Sequence, residues 1–301
     1  MPSINNVFRV NNFVMERKNK KQSVTRGRSN EGLRSAAAPL NGKTVIVIGG
    51  SSGIGYETAL RLVGRGYTVV NLSRSACPLP QVKNYTVDVT SSQALEKTIS
   101  AAAGDNLYGL IYCAGYSIAA PLEYADEKDY RYLFEVNYFG FLRALRFVCP
   151  YMKKRGGKII AVSSLGGVFP VAFDSFYSSS KAALDMLVKS AAIELEPYNI
   201  QVCSLRPGGT STGFTFKRKI YTDEQCGDYA PKVKRASLAL AGMEQGGLSA
   251  GEVAKELISV FEERRLPLSR QCGKLNKFYF ALNRLIPQKT SLRFDKMAFK
   301  L

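Results

Sequence analysis

Five consecutive β-branched residues, Thr44-Val45-Ile46-Val47-Ile48, run straight into Gly49-Gly50-Ser51-Ser52-Gly53-Ile54-Gly55 and then into a helix-period segment ending near Gly66. β-Branched side chains favour extended backbone, and a run without polar alternation fits a strand covered on both faces, as in a parallel sheet. Glycines let the chain turn tightly, and the free amides and dipole at the start of the following helix favour an anion. Thr68–Leu72 is a second such run and closes a βαβ unit. Strand, glycine turn and helix in that order are the setting that a dinucleotide pyrophosphate requires.

The alternation continues. Strand-like runs at Gly109–Cys113, Lys158–Ser163 and Gln201–Leu205 are separated by helical stretches near Ser91–Ala103, Lys128–Lys154 and Ser175–Glu196. This predicts an α/β fold, a doubly wound, mostly parallel Rossmann-type sheet that binds ligands at the carboxyl ends of its strands. With 301 residues and 46% hydrophobic side chains, a single domain over 41–265 is expected, with basic extensions at 1–40 and 266–301. Of the net charge of +18, the segment 1–40 carries +6 and 264–301 carries +9, so the body is nearly balanced. An acidic partner would meet the ends.

Histidine is absent, which removes Ser-His-Asp and Cys-His catalysis and imidazole metal ligands. The six cysteines form no C-x-x-C pair, so neither a disulfide framework nor a metal site is expected, and a reducing, cytoplasmic setting fits. No run is long and apolar enough to span a membrane.

At the end of the second strand, Asn71-Leu72-Ser73-Arg74-Ser75 offers a guanidinium and hydroxyls but no carboxylate. A carboxylate there would suit the ribose hydroxyls of NAD; a cation suits the extra phosphate of NADP. Arg74 can fork two donors onto that phosphate, with Ser73 beside it. Farther on, Tyr177 and Lys181 stand four apart in a helical stretch, which stacks them on one face. A positive charge beside a phenol stabilises the phenolate, so Lys181 is expected to lower the pKa of Tyr177.

These segments together resemble the short-chain dehydrogenase/reductase family over roughly residues 42–263. The glycine turn is similar to the family's T-G-x-x-x-G-x-G, with Ile48 for the Thr, so that Gly49, Ser51, Ser52, Gly53, Ile54 and Gly55 form the phosphate turn. Asp88-Val89 resembles the pair at the adenine. Ala114-Gly115 matches the end of N-N-A-G, with Tyr112-Cys113 in place of both asparagines. Pro207-Gly208-Gly209-Thr210-Ser211-Thr212 is similar to the P-G-x-x-x-T segment beside the nicotinamide.

The resemblance implies a catalytic set of Asn137, Ser164, Tyr177 and Lys181: Ser164 holds the substrate oxygen, Tyr177 exchanges the proton, Lys181 also binds the nicotinamide ribose, and Asn137 anchors a relay water. Asn137, Tyr177 and Lys181 count among the cofactor contacts. It implies NADP(H), a small-molecule carbonyl or alcohol substrate, no metal, and a dimer or tetramer. Cys113 is expected to be a buried apolar residue, not a nucleophile.

Leu165–Phe176 is rich in large apolar groups and suits a steroid-, retinoid- or lipid-like ketone. Phe214–Gly247 reads as a lid whose Lys217-Arg218-Lys219 is a solvated charge run or, alternatively, a contact for an acidic group of the substrate. Lys274–Ile286 sets Leu275, Phe278, Tyr279, Leu282, Leu285 and Ile286 on one helical face, ended by Pro287. That face suits packing on the chain's own domain, a second subunit, or peripheral contact with an anionic membrane. A nucleic-acid partner is not expected, because the basic ends match no recognition motif. Two alternatives to an enzyme are a catalytically silent NADP-binding regulator and a tail-mediated binding protein on the same fold.

Overall fold

The computed structural model describes residues 42–301, so the basic run within 1–40 lies outside the described residues. Strands β1 (Thr44–Ile48), β2 (Thr68–Ser73), β3 (Lys83–Thr86), β4 (Leu107–Tyr112), β5 (Gly157–Val162), β6 (Ile200–Arg206) and β7 (Ser269–Gln271) form one sheet. Its order is β7-β6-β5-β4-β1-β2-β3, parallel throughout. The β-branched run of β1 is central: Val45 pairs with Val69 on one side and Gly109 on the other. From β1 the chain winds outward to β2 and β3, then returns and winds the other way from β4, so a crevice opens between the carboxyl ends of β1 and β4.

The period of two in a strand sorts the core into two layers. Ile46, Ile48, Val70 and Leu110 pack with Leu95 and Ile99 of α2 (Ser92–Ala103), Phe141 of α4 (Gly140–Met152) and Leu184 of α5 (Ser175–Leu195). Val45, Val47, Val69 and Ile111 pack on the opposite face with Leu62 of α1 (Gly53–Val63) and Val253 and Leu257 of α7 (Ala250–Glu262). Lys158 is buried in β5, and its ammonium donates to the carbonyls of Phe261 (2.8 Å) and Glu263 (2.6 Å), satisfying acceptors at the end of α7.

Between β4 and α4, helix α3 (Glu127–Phe134) passes through a π turn, Glu135–Phe139. Residues 269–271 belong to the stretch 266–301 yet continue the sheet as its edge strand on β6. Beyond them come α8 (Lys274–Asn283) and, after Pro287, a further helix, α9 (Gln288–Ala298). Pro287 therefore stands before a helix that the sequence reading did not anticipate, a position where its missing N–H is harmless. The segment Phe214–Gly247 is mostly helical, with α6 at Ala230–Gln245.

Candidate active site

The carboxyl ends of β1, β2, β4, β5 and β6 surround a cavity of about 960 Å³. Gly49 takes a φ of +86°, open to glycine without strain. Gly55 allows α1 to start against the turn, since a Cβ there would stand 2.1 Å from the Gly49 carbonyl oxygen. Ser52 caps α1 without a side-chain hydrogen bond, so the first-turn amides are left to an anion. Thr212 returns over the turn, within 3.7 Å of where a Gly53 Cβ would lie. Arg74 is exposed at the end of β2, with one long contact among the described residues, 3.4 Å to the Tyr132 hydroxyl, and Ser73 donates to Asn71 Oδ1 (2.7 Å). A glycine cradle, an uncapped helix start and an exposed guanidinium suit a dinucleotide with an extra phosphate.

Every residue expected to touch a cofactor lines this cavity except Asn137. Asn137 is fully buried, at the centre of the π turn. Its Nδ2 donates to the Tyr116 carbonyl (2.9 Å) and the Ser180 hydroxyl (2.9 Å), and its Oδ1 accepts from the Tyr116 amide (2.8 Å). Both amide protons are used inside the protein, so the side chain reaches the cavity through other groups: Ser180 donates on to the carbonyl of Tyr177 (2.8 Å). The Asn137 side chain thereby ties the β4 loop to α5.

Ser164 lies just past the end of β5 and caps a short turn, its hydroxyl accepting from Gly166 N (3.0 Å). The same hydroxyl acts on the Tyr177 phenol, favouring its deprotonation. Lys181, one turn along α5, is buried, with its ammonium 5.6 Å from the centre of the Tyr177 ring and donating to the Val162 carbonyl (2.9 Å). Desolvation pushes Lys181 down to about 8, with Asp185 pulling the other way. Asp185 in turn pairs with buried Arg206 (2.8 Å), locking α5 to the end of β6. Burial raises the Tyr177 phenol well above its usual value, with the Ser164 hydroxyl opposing. The expected lowering by Lys181 is not found, because that ammonium is directed at a carbonyl and burial dominates.

Tyr112 and Cys113 replace two asparagines. The Tyr112 hydroxyl donates to the Val136 carbonyl, joining β4 to the residue before Asn137, so the tie between elements survives in another form. Cys113 is half-buried on the cavity floor, and burial pushes its thiol up to about 12, which keeps it protonated and unreactive.

The substrate side of the cavity holds a cluster that sequence reading missed. Arg218 lies buried: its Nε donates to Ser117 Oγ (3.0 Å) and stands 3.6 Å from Asp174, and its Nη2 meets Glu244. Ser117 donates to Asp174 (2.8 Å) and Thr215 to Glu244 (2.7 Å). The reading of Lys217-Arg218-Lys219 as a solvated run is corrected at Arg218, which is 8% exposed. Lys219 pairs with Asp129, and Lys217 borders the cavity. Desolvation lifts Asp174 to about 6, only partly opposed by Arg218 and Ser117. The Phe214 ring lies 5.9 Å from that of Tyr177 and covers it.

Residues 43–222 match the short chain dehydrogenase family. This chain belongs to that family. A 3-ketodihydrosphingosine reductase of Bacteroides thetaiotaomicron is 34% identical over 244 residues, 79% of this chain and 90% of that protein. An NADPH-dependent 1-acyldihydroxyacetone phosphate reductase of Saccharomyces cerevisiae is 30% identical over 191 residues, 59% of this chain and 64% of that one. Among solved structures, a short-chain dehydrogenase from Streptomyces avermitilis superposes with a TM-score of 0.72 at 26% identity, covering 87% of this chain and 97% of its own. Like these relatives, this short-chain dehydrogenase is an oxidoreductase acting between CH–OH and C=O groups.

Proposed function

We propose that the protein is an NADP(H)-dependent reductase of a bulky, lipid-like ketone. The observation that carries this is the meeting of Ser164, Tyr177 and Lys181 in one cavity with the glycine turn and Arg74. Arg74 and Ser73 hold the extra phosphate, the α1 amides the pyrophosphate, Asp88 and Val89 the adenine side, and Ala114, Gly115, Pro207, Gly208, Thr210 and Thr212 the remainder. The bound cofactor supplies a hydride to the carbonyl carbon. Ser164 donates a hydrogen bond to the substrate oxygen, and Tyr177 gives that oxygen its proton. Lys181 holds the nicotinamide ribose, and Asn137 positions Tyr177 through Ser180. Relatives named for lipid ketones support the substrate class.

NADPH consumption across a panel of ketones tests the reading, with turnover of lipid-like ketones expected. Binding of NADPH without turnover of any carbonyl, or of any alcohol with NADP, would leave the silent cofactor-binding regulator. Two assembly properties belong to the same reading. Leu275, Phe278, Leu285, Phe294 and Met297 are exposed on α8 and α9 and around them, in a stretch rich in Lys and Arg, which fits an anionic membrane surface. Flotation with anionic liposomes by the whole chain, lost on truncation after Arg270, is the expected result. Exposed Phe139, Met186 and Ile193 lie on or beside α4 and α5, the faces through which a second copy would pack, and sedimentation would show a dimer or tetramer.

A further inference from the structure

A second cavity of about 550 Å³ adjoins the first, and Pro170, Val171, Asp295 and Phe299 line both. Its own wall includes Leu122, Ala172, Phe173, Leu292 and Leu301, with Glu123 and Lys296 as its other charged members. Four separate parts of the chain build it: the loop after β4, the segment leading into α5, Tyr229 just before α6, and the C-terminal stretch of α9 and the residues after it. Its two loop walls are fastened together, since the Ala120 amide donates to the Phe173 carbonyl at 2.8 Å. Phe173 has a φ of +61°, a backbone state that a bulky side chain rarely adopts and that persists only where surrounding contacts impose it. Its ring packs edge-on against Tyr229, 6.0 Å away. The strained residue therefore forms a wall of this apolar space, just before the segment that carries Asp174 and Tyr177.

We infer that the second cavity is the binding site for the hydrocarbon chain of the substrate. This rests on the ketone-reductase reading: a ketone held at Ser164 and Tyr177 extends across the Val171–Phe299 seam, and its alkyl chain lies against Ala172, Phe173 and Leu292. Most of the side chains in this wall are apolar, so methylene groups gain by being buried against them. The occupant is an unbranched alkyl or acyl chain joined to the ketone, and α9 is the wall that sets its length.

The test measures kcat/KM with NADPH along a homologous series of straight-chain ketones, and binding of a fluorescent long-chain fatty acid. In the wild-type protein kcat/KM should rise about fourfold per added methylene until the cavity is filled. Leu292→Trp and Ala172→Trp narrow only the second cavity. Each should lower kcat/KM for the longest ketones about tenfold or more and abolish binding of the fluorescent acid. Turnover of the shortest ketones and NADPH affinity should stay as in the wild type. The two variants sit on different elements, so misfolding of one leaves the other. Short ketones reduced with no gain on lengthening, or variants that lower short and long ketones alike, overturn the chain site. If no ketone is reduced, the reductase reading fails by itself, while fatty-acid binding that Leu292→Trp removes still supports the chain site and binding unaffected by that substitution overturns it.

Discussion

Asp174→Asn isolates the electrostatics of the substrate wall. The Asp174 carboxyl, buried beside Arg218 and Glu244, is lifted from the usual 3.8 to about 6, with desolvation outweighing the guanidinium. Between those two values the folded chain holds a proton that the unfolded chain has released, so wild-type stability falls as pH rises from 3.8 through 6 and the deficit is complete above. Each pH unit in that interval is worth about 1.36 kcal/mol, giving roughly 3 kcal/mol in all and roughly 2 kcal/mol above about pH 4.5. Asparagine keeps the shape and does not titrate. Urea unfolding of both proteins at about pH 4.5 and about pH 7.5, read as midpoint times slope, supplies the comparison. The stability of the variant relative to wild type should be higher at the upper pH by roughly 2 kcal/mol. A difference that is flat, or that moves the other way, would mean that Arg218 holds Asp174 ionised at ordinary carboxyl pH and would refute the argument.

Tyr177→Phe keeps the ring and removes the proton, so turnover should fall about a hundredfold or more while NADPH titration still shows binding. Arg74→Asp should reverse the preference from NADPH towards NADH, measured as the ratio of their dissociation constants; equal shifts in both would remove Arg74 from the phosphate site. Gly55→Ala places a Cβ 2.1 Å from the Gly49 carbonyl oxygen, so cofactor affinity should collapse, by fluorescence titration, more than chain stability does.

The sheet was legible because β-branched runs such as Thr44–Ile48 specify buried parallel strands locally, and the Tyr177–Lys181 pair because helical spacing alone brings i and i+4 together. What sequence could not show were consequences of distance. Arg218 looks solvated beside Lys217 and Lys219, and becomes buried only because Glu244, 26 residues on, and Ser117, 101 residues back, converge on it. Asp174, three residues before Tyr177, offered a local hint of a second polar group at the site. The π turn is equally silent: one extra residue in a helix leaves no mark on periodicity, yet it aims Asn137 at Tyr116 and Ser180. Lys181 illustrates a limit of pairing rules, since its spacing predicted a charge acting on Tyr177 and the Val162 carbonyl claimed the ammonium.

The walls of the two cavities differ in how they can change. Beside Tyr177, three buried ties also hold the fold: Asn137 to Tyr116, Arg206 to Asp185, Arg218 to Glu244. A substitution there disturbs chemistry and folding together, so that wall is frozen. Helices α8 and α9 have no fully buried residue, so their side chains can be exchanged at little expense to the core. On the chain-site proposal, the C-terminal residues are therefore the place to redesign specificity with the least cost to the core.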